Sequence, residues 1–114
     1  MQQDLRPRTR AFALRIIRLF QALPKSGEAK IIGNQLLRSG TSVGAQIAEA
    51  NRAKSKADLR SKIDGAAQEL EETQYWIDLL IEIKIFPLTR YSALQKEISE
   101  LLAIFVTLSK KLQE

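Results

Sequence analysis

Neither cysteine nor histidine occurs in this chain of 114 residues. Without cysteine there is no disulfide and no thiolate nucleophile. Without either residue the usual zinc ligands are missing, and so is the commonest general base near neutral pH. A reducing compartment is compatible with this usage. Long apolar runs are lacking too: none approaches the roughly 20 residues that a membrane span requires. The N-terminal stretch MQQDLRPRTRAFALRIIRLF carries charge into its apolar part and has no small-residue cleavage site. It does not read as a secretory signal. The expectation is a cytoplasmic protein that does not enter a membrane. Proline and glycine are scarce, at three and five residues.

What is present is helix-forming, apolar and basic. The length predicts one domain, residues 1–114, with a single core. Net charge is +5 and unevenly placed. Residues 1–25 hold six cations against Asp4 alone, which equals the whole excess. Residues 26–54 carry +2, residues 55–86 carry −3 and residues 87–114 carry +1. Such asymmetry points to an acidic or nucleic-acid partner, or to a basic N-terminal arm that pairs with the acidic third segment.

Apolar residues recur at helical spacing in four segments. The first helix runs from about Pro7 to Leu23, with Phe12, Ala13, Ile16, Ile17, Leu19, Phe20 and Leu23 on one broad face. Pro7 suits a first turn, and Pro24 ends the helix at the residue before it. Ser26 is the expected N-cap of a second helix that reaches about Ala53. Ser55 and Asp58 resemble a capping box for a third helix that reaches about Lys84. That helix carries a heptad seam, Leu59, Ile63, Ala66, Leu70, Thr73, Ile77 and Leu80. A second seam, Gly65, Glu69, Glu72, Trp76, Leu79 and Ile83, lies roughly opposite it. Thr89 is the expected N-cap of a fourth helix to about Leu112, with Tyr91 or Ser92 as later starts. Four amphipathic helices with short connections predict an all-α, antiparallel up-down-up-down four-helix bundle. Leu14, Leu79, Ile83 and Ile104 exceed what the core seams need, so some apolar surface should remain, and self-association is expected.

The centre of the second helix, Arg38-Ser39-Gly40-Thr41-Ser42-Val43-Gly44, is a poor helix former. Each interior glycine costs about 1 kcal/mol against alanine. Gly33, Leu37, Gly40, Gly44 and Ala48 share one face, and missing Cβ atoms there would let another helix approach closely. Arg38 stands at the same level as Glu69 and Glu72 of an antiparallel third helix. An ion pair shielded from water is expected between them.

The same two glutamates are the only candidate for carboxylate catalysis, and no cleft accompanies them. Asp58, Asp64, Glu71 and Asp78 point in different directions, which suits a solvated face better than a metal site. Gly27 and Gly33 lack the Lys-Ser/Thr of a phosphate-binding loop. No catalytic residue, cofactor or metal is therefore assigned. Arg8, Arg15 and Arg18 project from one side of the first helix and form the candidate nucleic-acid contact, since arginine suits phosphate. A solvated or intersubunit face is the competing reading of those arginines. Tyr75 and Trp76 have the rings to stack on bases, but the seam position of Trp76 suits packing.

The stretch QLLRSGTSVGAQIAEANRAKSKADLRSKIDGAAQELEETQYWIDLL resembles the signature of bacterial four-helix-bundle proteins encoded in intervening sequences of large-subunit ribosomal RNA genes. These are similar to the accessory variability proteins of diversity-generating retroelements. The resemblance rests on RSGTS-x-G-A-x-I-A-E-A followed by E-x-x-T-x-x-W/Y-L, with Ile77 standing where leucine is more usual. It implies a homopentameric, barrel-like ring with a basic surface. For the retroelement members it also implies binding to RNA or DNA and to a reverse transcriptase. No family catalytic residues exist to transfer. The expected protein is a non-enzymatic, oligomeric nucleic-acid binder that serves an RNA- or DNA-handling partner. The alternative is a homo-oligomeric interaction scaffold without nucleic-acid binding.

Overall fold

Asp4 opens α1 (Leu5–Ala22): its carboxylate accepts a hydrogen bond from the backbone N–H of Arg6 at 3.0 Å. This satisfies one of the donors that a helix start leaves free. The computed structural model describes residues 4–114. After α1 come α2 (Gly27–Ala50), α3 (Lys56–Glu82), a 3-10 turn at Leu88–Arg90 and α4 (Ser92–Gln113). The helices run antiparallel in sequence order as a bundle of 45 × 20 × 20 Å. Consecutive helices approach closely along their backbones, whereas α1 and α4 do so sparsely. No helix among the described residues is long and apolar enough to cross a membrane.

The heptad seam of α3 supplies the centre of the core. Ile63, Ala66, Leu70, Thr73, Ile77 and Leu80 are buried, and only Leu59 at its outer end stays half-buried. Phe12, Ile16 and Leu19 of α1, Leu36, Val43 and Ile47 of α2, and Leu94, Ile98, Leu101 and Phe105 of α4 close around it. The second seam of α3 lies along α2: the backbone of Gly65 meets the Gln46 side chain, and Glu69 and Glu72 meet Arg38.

The glycine face of α2 lies against α1. A Cβ on Gly40 would fall 2.8 Å from both γ-carbons of Ile16, and one on Gly33 would fall 3.0 Å from Leu23 Cδ1. One on Gly44 would sit 3.5 Å from the Thr9 carbonyl oxygen, an ordinary contact. On the other side of α2, the buried hydroxyls of Ser39 and Thr73 share a 2.8 Å hydrogen bond. Because each hydroxyl needs a partner when buried, this pair fixes the α2–α3 register.

Several helix ends differ from the sequence expectation. Ser26 holds the N-cap position of α2 without a side-chain hydrogen bond. The last turn of α2 tightens through Arg52 N–H to Glu49 and Ala53 N–H to Ala50, so the α-helix stops at Ala50 rather than near Ala53. In α3, Ser55 Oγ accepts from Asp58 N–H, while Asp58 accepts from Lys54 N–H. The far end of α3 closes with Lys84 at φ 63. The Ile85 N–H bonds the Leu80 carbonyl and the Lys84 N–H bonds the Ile81 carbonyl, which is the Schellman arrangement with lysine where glycine is usual. Thr89 falls in the 3-10 turn, and α4 starts from Tyr91 as its N-cap, one of the two later starts that the sequence offers. Tyr91 is the reason: its ring is fully buried and its hydroxyl donates to the Ile85 carbonyl.

Candidate nucleic-acid interface

Packing divides the arginine stripe of α1. Arg8 turns toward α4, where its Nε donates to Glu97 Oε2 at 2.9 Å and its Nη2 to Glu97 Oε1 at 2.7 Å. Glu100 Oε1 accepts from the same Nη2 at 3.1 Å. This bidentate hydrogen bond from Arg8 holds the Glu97 carboxyl below the usual carboxylate range, and it raises Arg8 in turn. Sequence spacing groups Arg8 with Arg15 and Arg18, but its charge is spent on closing the α1–α4 seam.

Arg15 and Arg18 remain together, and a third guanidinium joins them. Both line a groove of about 210 Å³ with Arg90, Leu19, Ala93 and Leu94, and no acidic residue lines it. Among the described residues none of the three arginines enters an ion pair. Arg90 is held by stacking, its guanidinium carbon 4.5 Å from the centroid of the Phe86 ring. Three cations around one shallow groove repel each other and lower the electrostatic cost of bringing in an anion. Arg90 is 72 positions beyond Arg18, so no local pattern in the sequence joins them. Only the return of the chain at the start of α4 does.

Arg38 reaches both glutamates of α3. Its Nη1 lies 3.4 Å from Glu69 Oε2, its Nη2 contacts Glu72 Oε2 more closely, and its Nε donates to Gln35 at 3.2 Å. The hydrogen bond to Glu72 raises the Arg38 pKa. Shielding is not found: the Arg38 side chain is 49% exposed. Its position on the outer rim of the α2–α3 contact explains this. An ion pair so placed contributes up to about 1 kcal/mol, not the larger stake of a buried pair. Both carboxylates face the same guanidinium. Among the described residues no three metal-ligand side chains cluster.

Apolar side chains also reach the surface. Leu14, Ile31, Tyr75, Ile83, Leu88 and Val106 are exposed. Tyr75 meets Trp76 edge-on at 5.0 Å, and the buried indole nitrogen of Trp76 has no hydrogen-bond partner.

Comparison with known proteins is specific. The family model described as 23S rRNA-intervening sequence protein matches residues 2–107. A crystal structure from Bacteroides thetaiotaomicron VPI-5482, described as a protein with unknown function from the S23 ribosomal protein family, is similar to this chain. It shares 33% identity and a TM-score of 0.84, over 93% of this chain and 95% of that one. No match is found among curated proteins.

Proposed function

The chain belongs to the 23S rRNA-intervening sequence protein family, and from that premise we propose a non-enzymatic, oligomeric protein that binds nucleic acid through a basic surface. The observation that carries the reading is the groove in which Arg15, Arg18 and Arg90 converge without an acidic residue. Phosphate contacts of this kind position a strand without reading its bases, so binding is sequence-tolerant. Arg8 does not contribute, because Glu97 and Glu100 hold it.

Self-assembly, as a homopentamer by family resemblance, would multiply a modest patch. The exposed Tyr75 of α3 and Ile83 just beyond its end are the surface such contacts would use. On this reading the protein works in the cytoplasm beside an RNA- or DNA-handling partner, such as a reverse transcriptase. The same exposed apolar residues also support the alternative, a homo-oligomeric scaffold without nucleic-acid binding.

The test combines affinity with mass. Random RNA and DNA are titrated against salt with wild type and with Arg15→Gln/Arg18→Gln/Arg90→Gln, and light scattering gives the mass of each. The variant should bind both nucleic acids more weakly. Its slope of log affinity against log salt should flatten by roughly 0.7 for each phosphate no longer neutralised on single strands. Its mass should equal that of wild type, a multiple of 12.9 kDa. Unchanged affinity sinks the groove as the site. A wild-type monomer at every concentration sinks the assembly, and a variant that falls to monomers moves the arginines to the subunit interface.

A further inference from the structure

We infer that the corner where α2 passes into α3 is a second nucleic-acid contact, one that takes a single-stranded segment. This rests on the reading that the protein binds nucleic acid. Between Arg52 and Lys62 the chain places five cations, Arg52, Lys54, Lys56, Arg60 and Lys62, against Asp58 alone. That carboxylate is turned into the start of α3, where it accepts from Lys54 N–H at 3.1 Å. Arg52, Lys54 and Lys56 are exposed and enter no ion pair among the described residues.

Beside these cations lies a groove of about 590 Å³ between α2 and α3. Its lining mixes charge with neutral hydrogen-bonding groups: Arg60 and Lys62 with Gln46, Gln68, Ser61 and Asp64. Asp64 is countered by Arg60 at 3.8 Å, and Lys62 has only a long 3.9 Å contact to Glu49. Glycine at position 65 makes the room. A Cβ there would fall 3.0–3.1 Å from the amide group of Gln46.

The chemistry separates into two parts. Lysine and arginine at the rim suit phosphates, because they offer charge and donors without demanding a base. Glutamine amides carry both donors and acceptors and can pair with base edges. Base edges are free for such contacts when the strand is single and its bases are splayed. An acidic peptide would also use the cations, so competition with polyglutamate separates the two occupants. The groove of Arg15, Arg18 and Arg90 lies beside the start of α4, while this corner lies at the start of α3, toward the other end of the 45 Å bundle. A single chain therefore has room for one strand segment at each place.

Dye-labelled uridine and adenosine dodecamers, titrated by anisotropy over a range of salt, test this. Arg52→Gln/Lys54→Gln/Lys56→Gln/Lys62→Gln should weaken both at least tenfold and flatten the salt slope by about 0.7 for each phosphate no longer neutralised. That weakening should add to the one produced by the Arg15, Arg18 and Arg90 variant. Gly65→Ala displaces a flexible amide, so it should leave folding and the salt slope intact while changing the ratio of uridine to adenosine affinity. Circular dichroism confirms that each variant is folded. If wild type binds and the fourfold variant matches it in affinity and slope, the corner is not a site, and the first groove stands. If polyglutamate displaces the dodecamers from the corner as well as unlabelled RNA does, the corner serves acidic protein and the inference falls. If wild type binds no oligonucleotide at any salt, the nucleic-acid reading itself fails and this inference falls with it.

Discussion

Gly40 and Gly44 share a helix and a face, yet substitution should move them in opposite directions. Alanine at position 44 gains about 1 kcal/mol of helix propensity, and its methyl comes no closer than 3.5 Å to Thr9, an ordinary contact. At position 40 the methyl would strike both γ-carbons of Ile16 at 2.8 Å and its Cβ at 3.1 Å. Ile16 is fully buried and β-branched, so it cannot swing away. Overpacking of this kind costs about 1–3 kcal/mol, enough to outweigh the propensity gain. Thermal melts should show Gly44→Ala at or above wild type and Gly40→Ala below it. A rise in Tm for Gly40→Ala would mean that α1 shifts outward without penalty. The spacing in the sequence puts both residues on one face; how near each comes to α1 depends on which α1 side chain lies opposite.

At the scale of the element, the α3–α4 connection holds the clearest local strain. Lys84 at φ 63 and Phe86 at φ 69 occupy the left-handed region without being glycine. For an L-residue this costs roughly 1–2 kcal/mol. Lys84→Gly should stabilise the chain by about 0.5–1 kcal/mol, because relief of strain exceeds the extra freedom of glycine in the unfolded state. Urea denaturation should show a higher midpoint with an unchanged slope. A lower midpoint would mean that the lysine stem contributes more than the backbone relief returns. Phe86 offers no such gain, since its ring carries Arg90 and lies 6.5 Å from the ring of Tyr91. Ser55 and Asp58 are legible as a helix start because their partners are three and four residues away. The sequence leaves the start of α4 open among Thr89, Tyr91 and Ser92, and it is decided by Tyr91 docking on a carbonyl six residues back.

For the whole molecule, the seam with the sparsest backbone approach is the closure of α1 on α4, and Arg8 with Glu97 spans it. The Glu97 carboxyl is held low in the folded chain by the Arg8 guanidinium. A group depressed in this way stabilises the fold above its ordinary value, about 4.3 for glutamate. That stability is lost as pH falls through the lower folded value. Glu97→Gln should thus destabilise at pH 7 by about 1.5–3 kcal/mol, toward the lower end because Glu100 still offers Arg8 a partner at 3.1 Å. The gap to wild type should narrow on acidification below about pH 4.3, as read by thermal melts across pH. A gap that stays constant from pH 7 to pH 3 would remove the charge of Glu97 from the account. Closure by side chains rather than close backbones is also why Arg8 is paired with acids while Arg15 and Arg18, further along α1, enter no ion pair among the described residues.

The helices, their antiparallel order and the core seam of α3 are all legible in the sequence. They follow from periodicity and from short connections, which are local properties of the chain. The level of Arg38 with Glu69 and Glu72 is legible too, because antiparallel helices of similar length bring their centres together. How deeply Arg38 lies is not, since exposure depends on where the rim of the contact falls. Packing moved Arg8 from the basic stripe to Glu97 and set Arg90 beside Arg15 and Arg18. The cations from Arg52 to Lys62 escape a tally by segment, because the boundary at residues 54 and 55 divides them and the acids of α3 mask the rest. Charges act through space, with a reach of about 8–10 Å in physiological salt, so which of them act together is fixed by the packed chain and not by its order.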